Sequence, residues 1–413
     1  MSGLHDTLPP VHVAPQAVAA LAARLAERGL LAGEVVGPAD VLVDDVTIDS
    51  RKTRPGTLFA AVAPDTLEGR DGHEFVEDAL VRGASGALVA ERWLASTPMP
   101  LGKGVSGDGH TRLPGAALVP ATDTRAALAE VAADLFGRPG DRLRLVGVTG
   151  TNGKTTTVFL LHGLLTALGT TAGLVGTVEN RIGAERYRTQ FTTPEAPALQ
   201  RLLRAMVEAG CTAAAMEVSS HGLALSRVGA LDFDVAVFTN LGHDHLDYHR
   251  TFEDYRAAKK RLFDDLGPGA TAVVNADDPN ADAMTADTAA RVVTFGTGAG
   301  ADVRVEVVAN TLDGLRLKLD GDERAYTMRG RFNALNLAAA YAAGLALGHD
   351  RADVLDALAA APGEVPNVTT RAVLSASIRS CSGSSALTTA TAVSASPSNR
   401  RFLASRYSSN VRW

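Results

Sequence analysis

The stretch Leu143-Arg-Leu-Val-Gly-Val-Thr-Gly-Thr-Asn-Gly-Lys-Thr-Thr-Thr157 decides the fold. Leu143 to Thr149 is a short apolar run of the kind that forms a buried strand, and Lys154 opens a helix. The turn between them is built from Gly and Thr. Backbone N–H groups in such a turn, with a helix N-terminus behind them, form a concave donor site for phosphate oxygens. Gly150, Thr151, Asn152, Gly153 and Thr156 then line the loop. Lys154 reaches the β- and γ-phosphates, and the Thr155 hydroxyl ligates magnesium. The loop is not a strict GxxxxGK[ST], because five residues separate Gly147 from Gly153 and Val148 holds the expected glycine position. A Gly/Thr turn without a nucleotide is the bland alternative. The strand–loop–helix context favours ATP.

On both sides of this stretch the pattern extends. From Thr122 to about Gly363, apolar strands (171–176, 212–218, 235–240, 270–275 and 291–296) alternate with helices (124–136, 196–210, 251–266, 333–348 and 351–362). Continuous apolar strands between helices predict a mostly parallel sheet covered on both faces. Residues 303–329 read as a small antiparallel appendage. Upstream, a helix over Pro15 to Leu31, strand-like 41–63, a helix ended by Gly83 and a strand at 86–90 predict a small mixed α/β domain. A Gly/Pro-rich exposed loop over 98–115 closes it. After Gly363 no period persists, and the segment carries six Arg but a single acid, Glu364. The expected organisation is an N-terminal domain over 1–120, a central domain over 121–362 and a disordered or frameshifted tail over 363–413.

Composition narrows the class. A chain of 413 residues, 46% hydrophobic and 21% charged, is long enough for two or three domains with sizeable cores. A net charge of −6 offers no bulk electrostatic reason to bind nucleic acid or anionic lipid. No apolar run reaches the roughly 18–20 residues of a membrane helix, and the N-terminus lacks the pattern of a signal peptide. Cys211 and Cys381 cannot supply a disulfide framework or a thiolate metal site. A soluble cytoplasmic α/β protein is expected.

Three further motifs carry candidate chemistry. In Met216-Glu-Val-Ser-Ser-His-Gly-Leu223, Glu217 ends an apolar strand, where an acid near the phosphate loop holds magnesium directly or through water; alone it reads as a surface carboxylate. Asn240-Leu-Gly-His-Asp-His-Leu-Asp-Tyr-His249 offers three His and two Asp, open to readings as a zinc site, a capping loop or a magnesium and phosphate environment. Tyr255-Arg-Ala-Ala-Lys-Lys-Arg-Leu-Phe263 lies on an amphipathic helix whose Lys pair, by spacing alone, reads as a solvated face.

Taken together and in this order, the four motifs resemble the Mur ligase family, over about Asp49 to Pro362. Thr-Gly-Thr-Asn-Gly-Lys-Thr-Thr resembles the family's variant phosphate loop. The resemblance implies an N-terminal UDP-binding domain with contacts from Ser50 and the Ile48 backbone. It further implies substrate contacts from Thr192, Thr193, Ser219 and Arg227, although Phe191 and Leu225 stand where polar Asn and Gln can occur. Glu217 and His243 are implied as magnesium ligands, Lys259 as a lysine carbamylated to hold a second magnesium, and Arg331 and Asn333 as neighbours of the nucleotide's base and ribose. The implied activity is ATP-dependent addition of a diamino acid, diaminopimelate or lysine, to a UDP-N-acetylmuramoyl dipeptide through an acyl phosphate. Lys154, Lys259 and His243 are its catalytic residues, two magnesium ions its cofactors, and a monomer without nucleic acid or membrane partners its form.

Family members also carry a C-terminal Rossmann-like domain with Asp-Asn-Pro-Arg and Tyr-Ala-His-x-Pro segments, and neither occurs after Pro362. The sequence therefore predicts impaired ligation by this chain. Two alternatives stay open: a non-catalytic two-domain nucleotide- or UDP-sugar-binding remnant, and a Mur-like ligase acting on a different carboxylate.

Overall fold

The computed structural model describes residues 4–64, 69–96, 115–242 and 248–361. The Gly/Pro-rich loop, His243 and the segment after Ala361 lie outside the described residues.

The central layer is a twelve-stranded sheet. Its parallel heart runs Ala172–Val175, Ala213–Glu217, Arg144–Thr149, Val235–Phe238, Thr271–Asn275 and Arg291–Gly296, in that spatial order. Strand Arg144–Thr149 therefore sits between Ala213–Glu217 and Val235–Phe238. Val303–Thr311 continues the sheet in parallel and then turns back through Gly314–Leu319 and Asp322–Tyr326. The antiparallel segment expected at 303–329 is present and continues the edge of the main sheet. Buried Leu145, Val146, Val148, Ala214, Met216, Ala236 and Phe238 show why these runs carry no polar alternation: both faces are covered. The covering helices approach closely. A Cβ on Gly344 would lie 2.9 Å from Leu164 Cδ2, so the Gly- and Ala-rich helix Phe332–Ala346 packs tightly on helix Lys154–Ala167.

A second, four-stranded sheet runs Asp45–Thr47, Thr57–Ala60, Gly86–Ala90 and Ala117–Ala121, all parallel. Helix Thr124–Leu135 packs in the same apolar cluster as Val18, Leu21, Leu58, Leu88 and Val119, and that cluster also reaches Ala196 and Ala230 of the central layer. Asp123 caps the helix by accepting from the amides of Arg125 and Ala126.

Three local readings change. The first helix spans only Val18–Glu27, because Gln16–Ala17 pairs as a strand with Leu42–Val43 and Gly29, at φ +68°, ends the turn. Residues 72–81 split into a 3-10 turn, Gly72–Phe75, and a short helix, Val76–Val81. The hairpin Asn180–Ile182 with Glu185–Tyr187, joined edge-on by Leu4–His5, has no counterpart in the sequence reading. Its charged residues hid it: Arg181 and Arg186 both pair with Glu179, which is 1% exposed.

His162 lies on the inward face of helix Lys154–Ala167. Burial, and then the Arg181 charge, push its pKa down to about 4 from 6.5. Between these values the unfolded chain takes up a proton that the native fold refuses, so stability falls as pH drops from 6.5 towards 4. The gap corresponds to about 3 kcal/mol. Thermal melts from pH 7 to 4.5 should show this acid-side loss, and His162→Gln should flatten it.

Candidate active site

The phosphate-type loop emerges where strand order reverses around Arg144–Thr149, the position at which open α/β sheets bind ligands. Its conformation depends on two glycines. Gly150 has φ +144°, and a Cβ there would lie 2.0 Å from Thr239 Oγ1; Gly153 has φ +89°, with a Cβ 2.5 Å from Asn336 Oδ1. The loop is tied to the strand on one side. The Thr151 amide donates to the Asn240 carbonyl (2.8 Å), and Thr239 Oγ1 donates to the Asn152 carbonyl (2.6 Å). Asn240 accepts from the Asn152 amide and donates back to its carbonyl, each at 3.0 Å. The first intrahelical bond runs from Thr157 N to Gly153 O, so the amides of the first helical turn have no intrahelical acceptor and form the donor set of a helix N-terminus.

Two lysines approach the same carbonyl edge. Lys154 Nζ donates to Gly150 O (2.8 Å) and Thr151 O (2.9 Å), and Lys259 Nζ donates to Gly150 O (2.9 Å). The solvated-face reading therefore fails for Lys259, which is 1% exposed, while Lys260 pairs with Asp264 and Asp287 on the outer side. Helix Phe252–Asp264 buries Tyr255, Ala258, Lys259, Leu262 and Phe263, the ordinary spacing of an inward stripe. Lys259 lies 4.7 Å from the centre of the Tyr255 ring, and the Tyr255 hydroxyl lies 3.0 Å from Thr151 Oγ1.

On the loop's other side stands Glu217, 1% exposed at the end of its strand. Thr155 Oγ1 donates to Glu217 Oε2 (3.0 Å), the Thr177 amide to Oε1 (2.8 Å) and the Thr177 hydroxyl to Oε2 (3.1 Å). Burial pushes the Glu217 carboxyl up; the Thr177 amide, the Lys154 charge and the two hydroxyls pull against it. Among the described residues no group of three or more His, Cys, Asp or Glu is placed to hold a metal. Thr155 and Glu217 are nevertheless hard oxygen donors at one point. They suit magnesium, which keeps much of its shell as water and phosphate oxygen.

The Thr-Thr-Pro-Glu segment lies next to this carboxylate. Thr192 Oγ1 is 3.0 Å from Thr177 Oγ1. Thr193 Oγ1 donates to the Glu217 carbonyl (2.9 Å) and accepts from the Ser219 amide (3.0 Å). Arg227 donates to the Thr193 carbonyl (3.0 Å), pairs with Glu195 (2.5 Å) and stacks 5.4 Å from the Phe191 ring centre. Thr155, Glu217, Thr192, Thr193, Ser219 and Arg227 are thus brought into one network. Ile48 and Ser50 belong to the four-stranded layer: Ile48 packs on its core, and Ser50 Oγ donates to Asp78 (2.9 Å). Asn333 donates to the Arg329 carbonyl and accepts from Asn336, and Arg331 precedes the helix Phe332–Ala346. A cavity of about 130 Å³ beside them is lined by Asn152, Gly153, Asn240, Phe295, Phe332 and Asn336.

The sequence motifs assign no role to Thr177, Thr239 or Tyr255, and they do not reveal that His221 lies 4.1 Å from Tyr248 and 5.5 Å from His249. Thr177 follows the strand Ala172–Val175 by two residues, as Glu217 and Thr239 end or follow theirs. Position after a parallel strand was the signal available.

Fold and loop together define a P-loop-type α/β class. Residues 148–344 match the family model described as the Mur ligase middle domain. The chain is 39% identical over 323 residues to the UDP-N-acetylmuramoyl-L-alanyl-D-glutamate–2,6-diaminopimelate ligase of Cytophaga hutchinsonii, covering 78% of this chain and 62% of that protein. It is 42% identical over 322 residues to the ligase of the same name from Geobacillus kaustophilus, covering 76% and 61%. A solved structure bearing that ligase name aligns with TM-score 0.68 at 26% identity, over 86% of this chain and 68% of the other. The MurF ligase of Thermotoga maritima, solved with ADP, shares the fold at TM-score 0.50 and 21% identity, over 78% and 66%. Residues 148–344 are thus a Mur ligase middle domain, and about three quarters of the chain is similar to ligases of that family. It spans a little under two thirds of the length of the curated relatives it matches.

Gly150→Ala should destabilise the fold by about 1–3 kcal/mol, because strained φ and a clash with the Thr239 hydroxyl add. Gly163→Ala, in open space on helix Lys154–Ala167, should instead stabilise by about 0.5–1 kcal/mol. Paired urea titrations check both signs.

Proposed function

We propose that this chain carries the nucleotide and carboxylate-substrate sites of an ATP-dependent ligase that joins meso-diaminopimelate, or L-lysine, to UDP-N-acetylmuramoyl-L-alanyl-D-glutamate in peptidoglycan synthesis. The observation that carries the reading is the Thr155–Glu217 contact, which joins the phosphate loop to the Thr-Thr-Pro-Glu segment through one buried carboxylate. Support also comes from the relatives named above. The reading places a monomeric enzyme in the cytoplasm with small-molecule substrates, UDP-binding contacts at Ile48 and Ser50, and nucleotide contacts at Gly150 to Thr156, Arg331 and Asn333.

A carboxylate is a poor electrophile, so amide formation needs a better leaving group. The substrate carboxylate attacks the γ-phosphate of ATP, the bond to the β-phosphate oxygen breaks, and ADP leaves an acyl phosphate. The amine then attacks the acyl carbon and expels phosphate. Anion meets anion in the first step, so positive charge must stand at the loop. Lys154 supplies it by leaving the Gly150 and Thr151 carbonyls for phosphate oxygens, and the outward amides of the helix start supply further donors. Thr155 and Glu217, with His243 and a carbamylated Lys259, would hold magnesium, whose charge offsets that of the phosphates.

The test is ADP release and hydroxylamine-trapped acyl phosphate from ATP, magnesium and the UDP-dipeptide, with nucleotide binding followed in parallel. Lys154→Met should lower dipeptide-dependent release about a hundredfold, the scale of losing one preorganised donor to developing charge. Lys259→Ala should abolish any dependence on bicarbonate. Absence of nucleotide binding by the unaltered chain overturns the reading. Binding with no dipeptide dependence turns it towards a nucleotide-binding protein without catalysis.

A further inference from the structure

We propose that Thr177 is a positioning residue that links the Thr192 hydroxyl to the Glu217 carboxylate, and that this linkage leaves Thr192 able only to accept a hydrogen bond, so that it faces an N–H of the substrate's peptide portion. The inference rests on the function proposed above.

Backbone geometry comes first. A Cβ on Gly176 would lie 2.7 Å from Glu217 Oε1, so a residue without a side chain lets the end of the strand close on the carboxylate. The next residue then delivers both its donors: the Thr177 amide to Oε1 (2.8 Å) and the Thr177 hydroxyl to Oε2 (3.1 Å). The orientation of Glu217 is fixed by this pair, with Thr155 completing it at 3.0 Å.

Proton bookkeeping gives the second half. In its ionised form the Glu217 carboxylate only accepts, and a hydroxyl has one proton to give. The Thr177 proton is committed to Glu217, so the proton in the 3.0 Å contact between Thr177 and Thr192 comes from Thr192. The order is Thr192 to Thr177 to Glu217. Thr192 keeps only lone pairs for a ligand. A substrate carboxylate would meet those lone pairs unfavourably, whereas a peptide N–H would meet them as a donor. The substrate's anionic groups are thereby turned away from Thr192, and its amide is turned towards it.

Thr177→Val keeps the amide and the β-branched shape but removes the hydroxyl; Thr177→Ser keeps the hydroxyl. Titration calorimetry on the 413-residue chain, with the UDP-muramoyl dipeptide and separately with ATP over a magnesium series, reads both ends of the link. The Val variant should weaken dipeptide binding about tenfold and raise the magnesium needed for half-maximal ATP binding by a similar factor; the Ser variant should return both to within about twofold. An ester analogue lacking the peptide N–H should bind the unaltered chain about tenfold more weakly, and this difference should shrink in Thr177→Val, where Thr192 regains a proton to donate. Equal affinities in the Val variant and the unaltered chain, a shift in melting temperature alone, or failure of the Ser variant to rescue overturns the role of Thr177. An ester penalty that is unchanged in the Val variant overturns the acceptor assignment. If the unaltered chain binds neither ATP nor the dipeptide, the proposed function falls and this inference falls with it.

Discussion

The central constraint is the position of one strand. Arg144–Thr149 runs through the middle of the parallel sheet, so the loop that follows it has a neighbouring strand end on each side. On one side the Val218 amide donates to the Val148 carbonyl and presents Glu217. On the other the Thr239 amide donates to the Thr149 carbonyl and presents Thr239 and Asn240. These ladder bonds carry no chemistry themselves, yet they fix what the loop can touch. Gly150 and Gly153 combine positive φ values with positions where Thr239 and Asn336 leave no room for a side chain.

Polar groups of the protein, rather than solvent, meet the buried charges of this site. Lys154 and Lys259 both donate to the Gly150 carbonyl, and Glu217 is buried behind the loop with neutral donors on its oxygens. Neutral dipoles satisfy a carboxylate without cancelling its charge, which is why burial still pushes its pKa up. A cation shared with phosphate oxygens would relieve that unfavourable burial, so the buried carboxylate and the phosphate loop favour each other's ligands.

Much of this was legible because the signals were local. The parallel core announced itself through uninterrupted apolar runs such as Val235–Phe238, and the loop through its Gly/Thr composition between strand and helix. Lys259 shows the limit of reading by charge: as one of a lysine pair it looked solvated, although Tyr255, Lys259, Leu262 and Phe263 already formed an inward stripe. The hairpin at 180–187 was illegible for a related reason. Its arginines face Glu179, a pairing that depends on three-dimensional proximity and leaves no hydrophobic period. Thr177 was hidden because one threonine after a strand carries no motif, and its partners lie 15 and 40 positions away.

The layers are connected by charge as well as by packing, and this bears on how the Thr-Thr-Pro-Glu segment is held. Arg125, on the helix Thr124–Leu135 that packs beneath the four-stranded sheet, donates to the Ala63 carbonyl at 2.8 Å and lies 3.7 Å from Glu195. Glu195 pairs in turn with Arg227, which donates to the Thr193 carbonyl. Glu195 therefore stands between two largely buried guanidiniums beside the Thr193 backbone. This ionic contact ties the Arg227 side of the segment to the neighbouring layer. The hydroxyl chain through Thr177 makes the Thr192 side an acceptor. One end of this short segment is thus held by an ionic contact between layers, while the other presents lone pairs that suit a peptide N–H.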